Sequence, residues 1–264
     1  MFAAERLAKV REVLLEYKHV DISTLSSILS VSEATIRRDL EKLEDEGFLT
    51  KTHGGAMIND DADQEVQLSF VDDPYIDEKI QIGIVASQMI SNGDVIFLGN
   101  GNTCQQISKH IKDKKELTVV TNNINIIIEL HGCTNINLIV LGGNIQSFGT
   151  SISTSGQFSK KMLEGIFVNK AFFTVNGISM KHGYTLCSAE LAEIYSIILK
   201  NADESIIVVD YSKFDKRAFV QLGNIDLVKK VVTNAQLSLE YKKFFFETNI
   251  QLFTAFNEDK VDEK

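Results

Sequence analysis

The sequence predicts an α/β protein in two parts, an N-terminal winged helix-turn-helix followed by a doubly wound α/β domain. Three observations carry that prediction. Apolar residues recur at helical spacing through the first stretch of the chain, broken by a short serine-flanked turn. From Glu78 onward, helical patterns alternate with short apolar runs, as parallel strands buried on both faces and crossed by helices require. Between the two, the periodicity stops and Asp60, Asp61, Asp63, Asp72, Asp73 and the chain's one proline, Pro74, gather in a linker. The expected division is residues 1–57, a linker at 58–77, the α/β domain at 78–254 and a solvated tail at 255–264.

The first helix places Leu7, Val10, Val13, Leu14 and Tyr17 on one face. Ser23 reads as the N-cap of a short second helix with Leu25, Ile28 and Leu29 inward. Ser30-Val31-Ser32 then turns the chain, and Ser32 caps a third helix whose buried stripe is Ile36, Leu40 and Leu43. Gly47 ends that helix, Phe48 to Thr52 reads as a short strand, and Gly54-Gly55 permits a sharp turn. One further short strand is expected at Val66–Phe70. Beyond the linker, the expected helices are Glu78–Ile90, Thr103–Ile111, Ile124–Leu130, one near Gly156–Leu163, and Ser188–Ala202. The expected strands are Asp94–Leu98, Leu117–Thr121, Asn137–Leu141, Lys170–Val175, Ser205–Val209 and Lys230–Thr233. Ligands of such a sheet bind at the carboxyl ends of its strands.

Composition narrows the function classes. With 44% hydrophobic and 24% charged residues the 264-residue chain reads as a globular protein. No run approaches the ~18 apolar residues of a membrane span, and Met1–Lys18 reads as a helix rather than a signal peptide. Cys104, Cys133 and Cys187 form no CxxC pair and read as reduced thiols of a cytoplasmic protein. The net charge of −9 argues against a nucleic-acid partner, and residues 1–56 hold eight basic against ten acidic residues. Any case for DNA therefore rests on where the basic side chains sit.

They sit tellingly. If Ile36, Leu40 and Leu43 mark the buried direction, Arg38 points directly away from it, with Ala34, Thr35, Glu41 and Lys42 outward and Arg37 on the flank. A small residue, a hydroxyl and two arginines near a helix N-terminus suit the major groove. A solvated helix face would show the same spacing. In the second part, Phe97-Leu98-Gly99-Asn100-Gly101-Asn102-Thr103 follows a strand and opens a helix, a ready anion site or simply a tight turn. Thr121-Asn122-Asn123, Gly142-Gly143, Asn176-Gly177 and Asp210 to Lys213 end other strands. Converging amides, hydroxyls, one cation and one carboxylate suit a polyhydroxylated phosphate ester.

Val31-Ser32-Glu33-Ala34-Thr35-Ile36-Arg37-Arg38-Asp39-Leu40, then Leu43, Gly47 and His53-Gly54-Gly55-Ala56, closely resembles the N-terminal region of DeoR-type repressors. Lys51 stands where that family usually has arginine. The resemblance implies that Thr35, Arg37 and Arg38, bordered by Ser32, Glu33, Ala34 and Lys42, meet operator DNA. Lys51 and His53 would lie near phosphate or the minor groove. Lys79, the G-x-T loop, V-T-N, L-G-G, Gly156, G-I-S, Gly183 and D-x-S-K-F resemble the family's effector domain, whose fold is shared with ribose-5-phosphate isomerase. A phosphorylated sugar is thus implied at Gly99, Asn100, Gly101, Asn102, Thr103, Thr121, Asn122, Asn123, Gly142, Gly143, Asn176, Gly177, Asp210 and Lys213. No cofactor, metal or catalytic residue is expected, and the protein should act as a homodimer or homotetramer. Two departures stand out. The family's acidic residue is Gly99 here, and a lysine of its E-x-x-x-K helix is Tyr195. Phe-Leu-Gly-x-Gly-x-Thr resembles the branch that represses lactose phosphotransferase operons, whose inducer is tagatose 6-phosphate.

Two other function classes stay open at this point. A sugar-phosphate isomerase would need a carboxylate base near the substrate, for which Glu190, Glu193 and Asp210 are the candidates. His110, His131 and His182 read as surface residues. A DNA-binding protein with no small-molecule effector would use the α/β domain only to oligomerise.

Overall fold

The computed structural model describes residues 3–17, 19–45, 48–52, 54–58, 73–148 and 150–255. They belong to two compact units, Met1–Phe70 and Val71–Lys264, taken here in turn.

The first unit runs α1 (Ala3–Tyr17), β1 (His19–Asp21), α2 (Ile22–Leu29), α3 (Glu33–Asp45), β2 (Leu49–Lys51) and β3 (Gly55–Ile58). Val10 and Leu14 of α1, Leu25 and Leu29 of α2, and Ile36, Leu40 and Leu43 of α3 form its core. An antiparallel sheet in the order β1-β3-β2 closes one side with Val20, Leu49 and Ala56. Gly55 lies so close to β1 that a Cβ there would come 2.3 Å from the Val20 carbonyl oxygen. A two-point ion pair ties α1 to α3: Arg6 Nε donates to Asp39 Oδ2 at 2.5 Å and Nη2 to Oδ1 at 3.1 Å.

Three expectations need correction. Tyr17 and Ile28 are exposed, not buried. Tyr17 is the last residue of α1, and on α2 the inward stripe is Ile22, Leu25 and Leu29, leaving Ile28 on the flank. Ser23 is not the cap of α2. Asp21 holds that position, and the first helical N–H, that of Ile22, donates to Gly54 O at 3.0 Å, so the wing supplies the acceptor. Gly47, the strand expected at Val66–Phe70 and most of the linker and tail lie outside the described residues.

The second unit begins with α4 (Ile76–Ser87), β4 (Val95–Leu98), α5 (Asn102–Lys109), β5 (Leu117–Thr121), α6 (Ile124–Leu130) and β6 (Ile136–Val140). A hairpin of β7 (Asn144–Phe148) and β8 (Ser151–Ser155) leads to α7 (Gln157–Leu163), β9 (Val168–Phe173), β10 (Gly177–Ser179) and β11 (Gly183–Leu186). The unit continues through α8 (Ala189–Asn201), β12 (Ala202–Val208), β13 (Val220–Gly223), β14 (Lys230–Asn234), α9 (Leu239–Glu247) and β15 (Gln251–Ala255). Seven strands form one parallel sheet in the order β15-β14-β12-β9-β4-β5-β6. Successive strand residues feed opposite cores. Phe97, Phe173 and Ile207 pack with α8 and α9, while Ile96, Leu98, Phe172 and Ile206 pack with α4, α5 and α6. Burial on both faces is why the inner strands read as apolar runs, whereas the edge strands β6 and β15 are only partly buried.

The chain winds from β4 through β5 to β6, then crosses back to β9 and continues the other way. Loops after β4 and β9 therefore diverge, and a crevice opens at the carboxyl ends of these two neighbours. The first helix of the unit starts at Ile76 rather than Glu78, which sets Lys79 in its first turn, almost buried. No helix among the described residues is long and apolar enough to cross a membrane.

Candidate functional site

Two surfaces carry the residues singled out above. On α3, Ser32, Glu33, Ala34, Arg37, Arg38 and Lys42 are exposed and Thr35 is half-buried. Ser32 organises the helix start: its carbonyl accepts the Thr35 N–H at 2.9 Å, and its Oγ lies 2.9 Å from Thr35 Oγ1. Glu33 holds Arg37 at 3.4 Å across one turn. Arg38 makes no ion pair with a described residue. Lys51 of the wing is pinned to α3. Its Nζ is 2.9 Å from Glu44 and 3.8 Å from Glu41, and its N–H donates to Glu44 Oε1 at 3.0 Å. The side-chain bond to Glu44 raises the Lys51 pKa, so the ammonium stays charged at any neutral pH. His53 lies outside the described residues.

The second surface is a cavity of about 370 Å³ at the crevice between β4 and β9. Asn100, Gly101, Asn102 and Thr103 form one wall, Thr174, Val175 and Asn176 another, and Leu186, Cys187, Ser188 and Leu191 a third. Lys79, Ser151 and Lys213 complete it. The loop after β4 is fastened from behind by its carbonyls. Leu98 O accepts from Thr121 Oγ1 at 2.7 Å, Asn100 O from Tyr195 OH at 3.3 Å, and Gly101 O from Asn123 Nδ2 at 3.3 Å. Ser151 Oγ donates to Asn100 Oδ1 at 2.6 Å, and Asn102 Nδ2 donates to Thr150 Oγ1 at 2.7 Å. Gly101 takes a φ of 110°, and a Cβ there would fall 2.4 Å from Thr174 Cγ2, so only glycine lets the loop pass. With its carbonyls occupied behind, the loop turns the start of α5 toward the cavity, where first-turn N–H groups lack helical partners.

Several expected ligand residues are placed elsewhere. Thr121, Asn122 and Asn123 are fully buried and brace the loop and β8, Asn122 Nδ2 donating to Thr154 O at 3.0 Å. Gly143 lies against β8 and α7, a Cβ there falling 2.1 Å from Ser155 O, and Gly142 O accepts from Ser159 Oγ at 2.6 Å. Gly99, Gly177 and Asp210 do not line the cavity either. Asp210 is buried, its Oδ1 accepting the Ser212 N–H at 3.1 Å. Lys79, Ser151, Cys187 and Ser188 line the cavity and were not singled out as ligand residues. Two signals were available for Lys79, its place among the marks shared with the family's effector domain and its position in the first turn of a helix. No carboxylate or imidazole lines the cavity among the described residues. Glu190 accepts from Gln146 Nε2 and Ser155 Oγ, both at 2.6 Å, and Glu193 pairs with Lys160 at 2.7 Å.

The two family departures prove to be one feature. A Cβ on Gly99 would lie 2.7 Å from the Tyr195 hydroxyl and 3.0 Å from Phe173 Cβ. Tyr195 is fully buried against Phe173, with ring centroids 5.0 Å apart, and burial pushes its phenol well above the usual value, so it serves only as a neutral donor. Gly99→Ala should therefore overpack this corner and cost about 1–3 kcal/mol in denaturant unfolding. Unchanged stability would show that the ring yields without penalty.

Residues 6–62 match the DeoR-like helix-turn-helix domain, and residues 75–235 match the DeoR C terminal sensor domain. Similar curated proteins include the HTH-type transcriptional regulator YulB of Bacillus subtilis, 33% identical over 90% of this chain and 91% of that one. Another is the lactose phosphotransferase system repressor of Lactococcus lactis, 30% identical over 91% of this chain and 94% of that one. Among solved structures, ribose 5-phosphate isomerase A of Methanocaldococcus jannaschii is 16% identical over 53% of this chain and 55% of that one, with a TM-score of 0.38.

Proposed function

The chain belongs to the DeoR family of helix-turn-helix transcriptional regulators, and from that premise we propose that it represses a sugar-use operon until a phosphorylated sugar releases it from operator DNA. The observation that carries the ligand half of this reading is the loop Asn100–Thr103. Its carbonyls are satisfied from behind while its helix start faces a cavity holding two lysines. Such a site suits a dianion bearing hydroxyls. Tagatose 6-phosphate is the first ligand to try, then fructose 1-phosphate, galactose 6-phosphate and ribose 5-phosphate. A thermal-shift screen tests the reading, because a ligand at about 100 times its Kd stabilises the folded state by roughly 2.7 kcal/mol. A flat response to every sugar phosphate would leave a regulator without this class of effector. Isomerase chemistry is disfavoured by the cavity wall, which among the described residues has no carboxylate, Asp73 and Asp210 beside it both facing the Lys79 ammonium.

For the DNA half, α3 would enter the major groove with Thr35, Arg37 and Arg38 toward the bases, and Lys51 and His53 would approach the backbone. Two such modules in a homodimer or homotetramer would pair half-sites on one duplex. Lys51 reaches phosphate only by exchanging its two glutamates. Lys51→Ala should accordingly weaken binding to all sequences alike and lower the salt slope by about one. A loss confined to the operator sequence in anisotropy titrations would instead make Lys51 a base reader.

A further inference from the structure

We infer that Asp73 is a built-in competitor of the ligand: it holds the cation and the amide that an anion in the cavity would take, so filling the cavity frees the segment that leads into the domain. This rests on the anion reading of the cavity and adds a regulatory step to it.

Lys79 lines the cavity yet is almost removed from water, so its charge needs counterions. Two carboxylates supply them. One is Asp73, in direct ion pair with the ammonium. The other is Asp210, whose Oδ2 lies 3.9 Å from Nζ and has no hydrogen-bond partner. The same Asp73 Oδ2 accepts from Asn102 Nδ2 at 3.5 Å, and Asn102 belongs to the cavity loop. A phosphate seated at the start of α5 would reach for these two groups. Three anions around one nearly buried ammonium repel one another strongly in a medium of low dielectric.

The two carboxylates are not equally free to leave. Asp210 is buried, and its other oxygen is held by the backbone N–H and the hydroxyl of Ser212. Asp73 is the more exposed, and its remaining side-chain bond is local, the Tyr75 N–H donating to Oδ1 at 3.1 Å. Burial pushes the Asp73 carboxyl up, but Lys79, the Tyr75 amide and Asn102 outweigh it and hold the pKa below the usual value. Asp73 is thus ionised and competing at neutral pH. Its neighbour Tyr75 stacks edge-on against Tyr211 with centroids 5.5 Å apart, so displacing the carboxylate loosens one fastening of this segment and leaves the ring contact. By linkage, whatever draws Asp73 away must also tighten the ligand.

The test uses the full chain and inorganic phosphate as probe, titrated by calorimetry into wild type, D73N, K79M and the D73N/K79M double variant. D73N should tighten phosphate about tenfold, within the typical range of coupling, and the gain should vanish when Lys79 is methionine. In wild type, amide hydrogen exchange at Tyr75 should quicken when phosphate binds. Phosphate that binds wild type with equal or lower affinity for D73N overturns the competitor while leaving the anion site intact. Phosphate that binds neither protein overturns the anion reading and the competitor together. Should D73N fail to fold, the Tyr75 exchange rate in wild type decides alone, and unchanged or slower exchange overturns the inference.

Discussion

Thr103→Ala combined with Lys213→Ala should leave operator binding intact and abolish release by the phosphorylated sugar, an uninducible repressor. A ligand shifts a two-state regulator only by its differential affinity for the two states, so a ligand that no longer seats shifts nothing. In the unaltered chain a coupling of about 1–3 kcal/mol would lower operator affinity roughly 5–150-fold. Thr103 is buried at the start of α5, and Lys213 reaches the cavity from the turn after β12. Neither residue belongs to the unit that carries α3. The measurement is an operator titration with and without sugar phosphate, for both proteins. The matching unphosphorylated sugar should be inert, since it lacks the dianion that the helix start and lysines would hold on this reading. Release by the free sugar as effective as by its phosphate would sink the phosphate-loop reading.

Arg38→Ala should cost about 1–3 kcal/mol of operator affinity and relax preference at one base position. Arg38 projects from α3 without an ion pair to a described residue, whereas Arg37 must first leave Glu33. The larger specific effect therefore falls on Arg38. Competition gel shifts against single-base operator variants read it directly. Uniform weakening across those variants would reassign Arg38 to the phosphate backbone, and no change at all would remove α3 from the groove.

Much of this was legible in the residues, and the misses have physical reasons. The stripe Ile36, Leu40 and Leu43 was read correctly because α3 is long enough for its period to repeat. Ile28 was misread because eight residues give two turns, too few to separate face from flank. Six of the seven strands of the parallel sheet announced themselves as apolar runs, while the edge strand β15 did not, because QLFTA mixes polar with apolar residues. The β7–β8 hairpin did not, because NIQSF and SISTS are mostly polar. The Phe244-Phe245-Phe246 run likewise hid the period of α9, only one of the three being buried. At the cavity, the loop Asn100–Thr103, Asn176 and Lys213 could be named from their places at strand ends. Thr121 and Asn123 share that placement yet donate to loop carbonyls. Residue type does not reveal whether a polar side chain serves a ligand or the backbone that cradles it. Ser151 and Cys187 arrive from strands and turns distant in sequence, and only three-dimensional closure brings them to the wall.

The Gly99–Tyr195 contact also constrains history. A lineage passing between this chain and one with an acidic residue at 99 and a lysine at 195 cannot take its two changes independently. An acid at 99 introduced first meets the phenol and brings an unpaired charge into a filled corner. Replacing the ring first opens a void and frees the Asn100 carbonyl that the phenol holds, and a lysine in its place would arrive without a counterion. Neither change alone is therefore neutral, and positions 99 and 195 should change together, so that chains carrying one change without the other are rare.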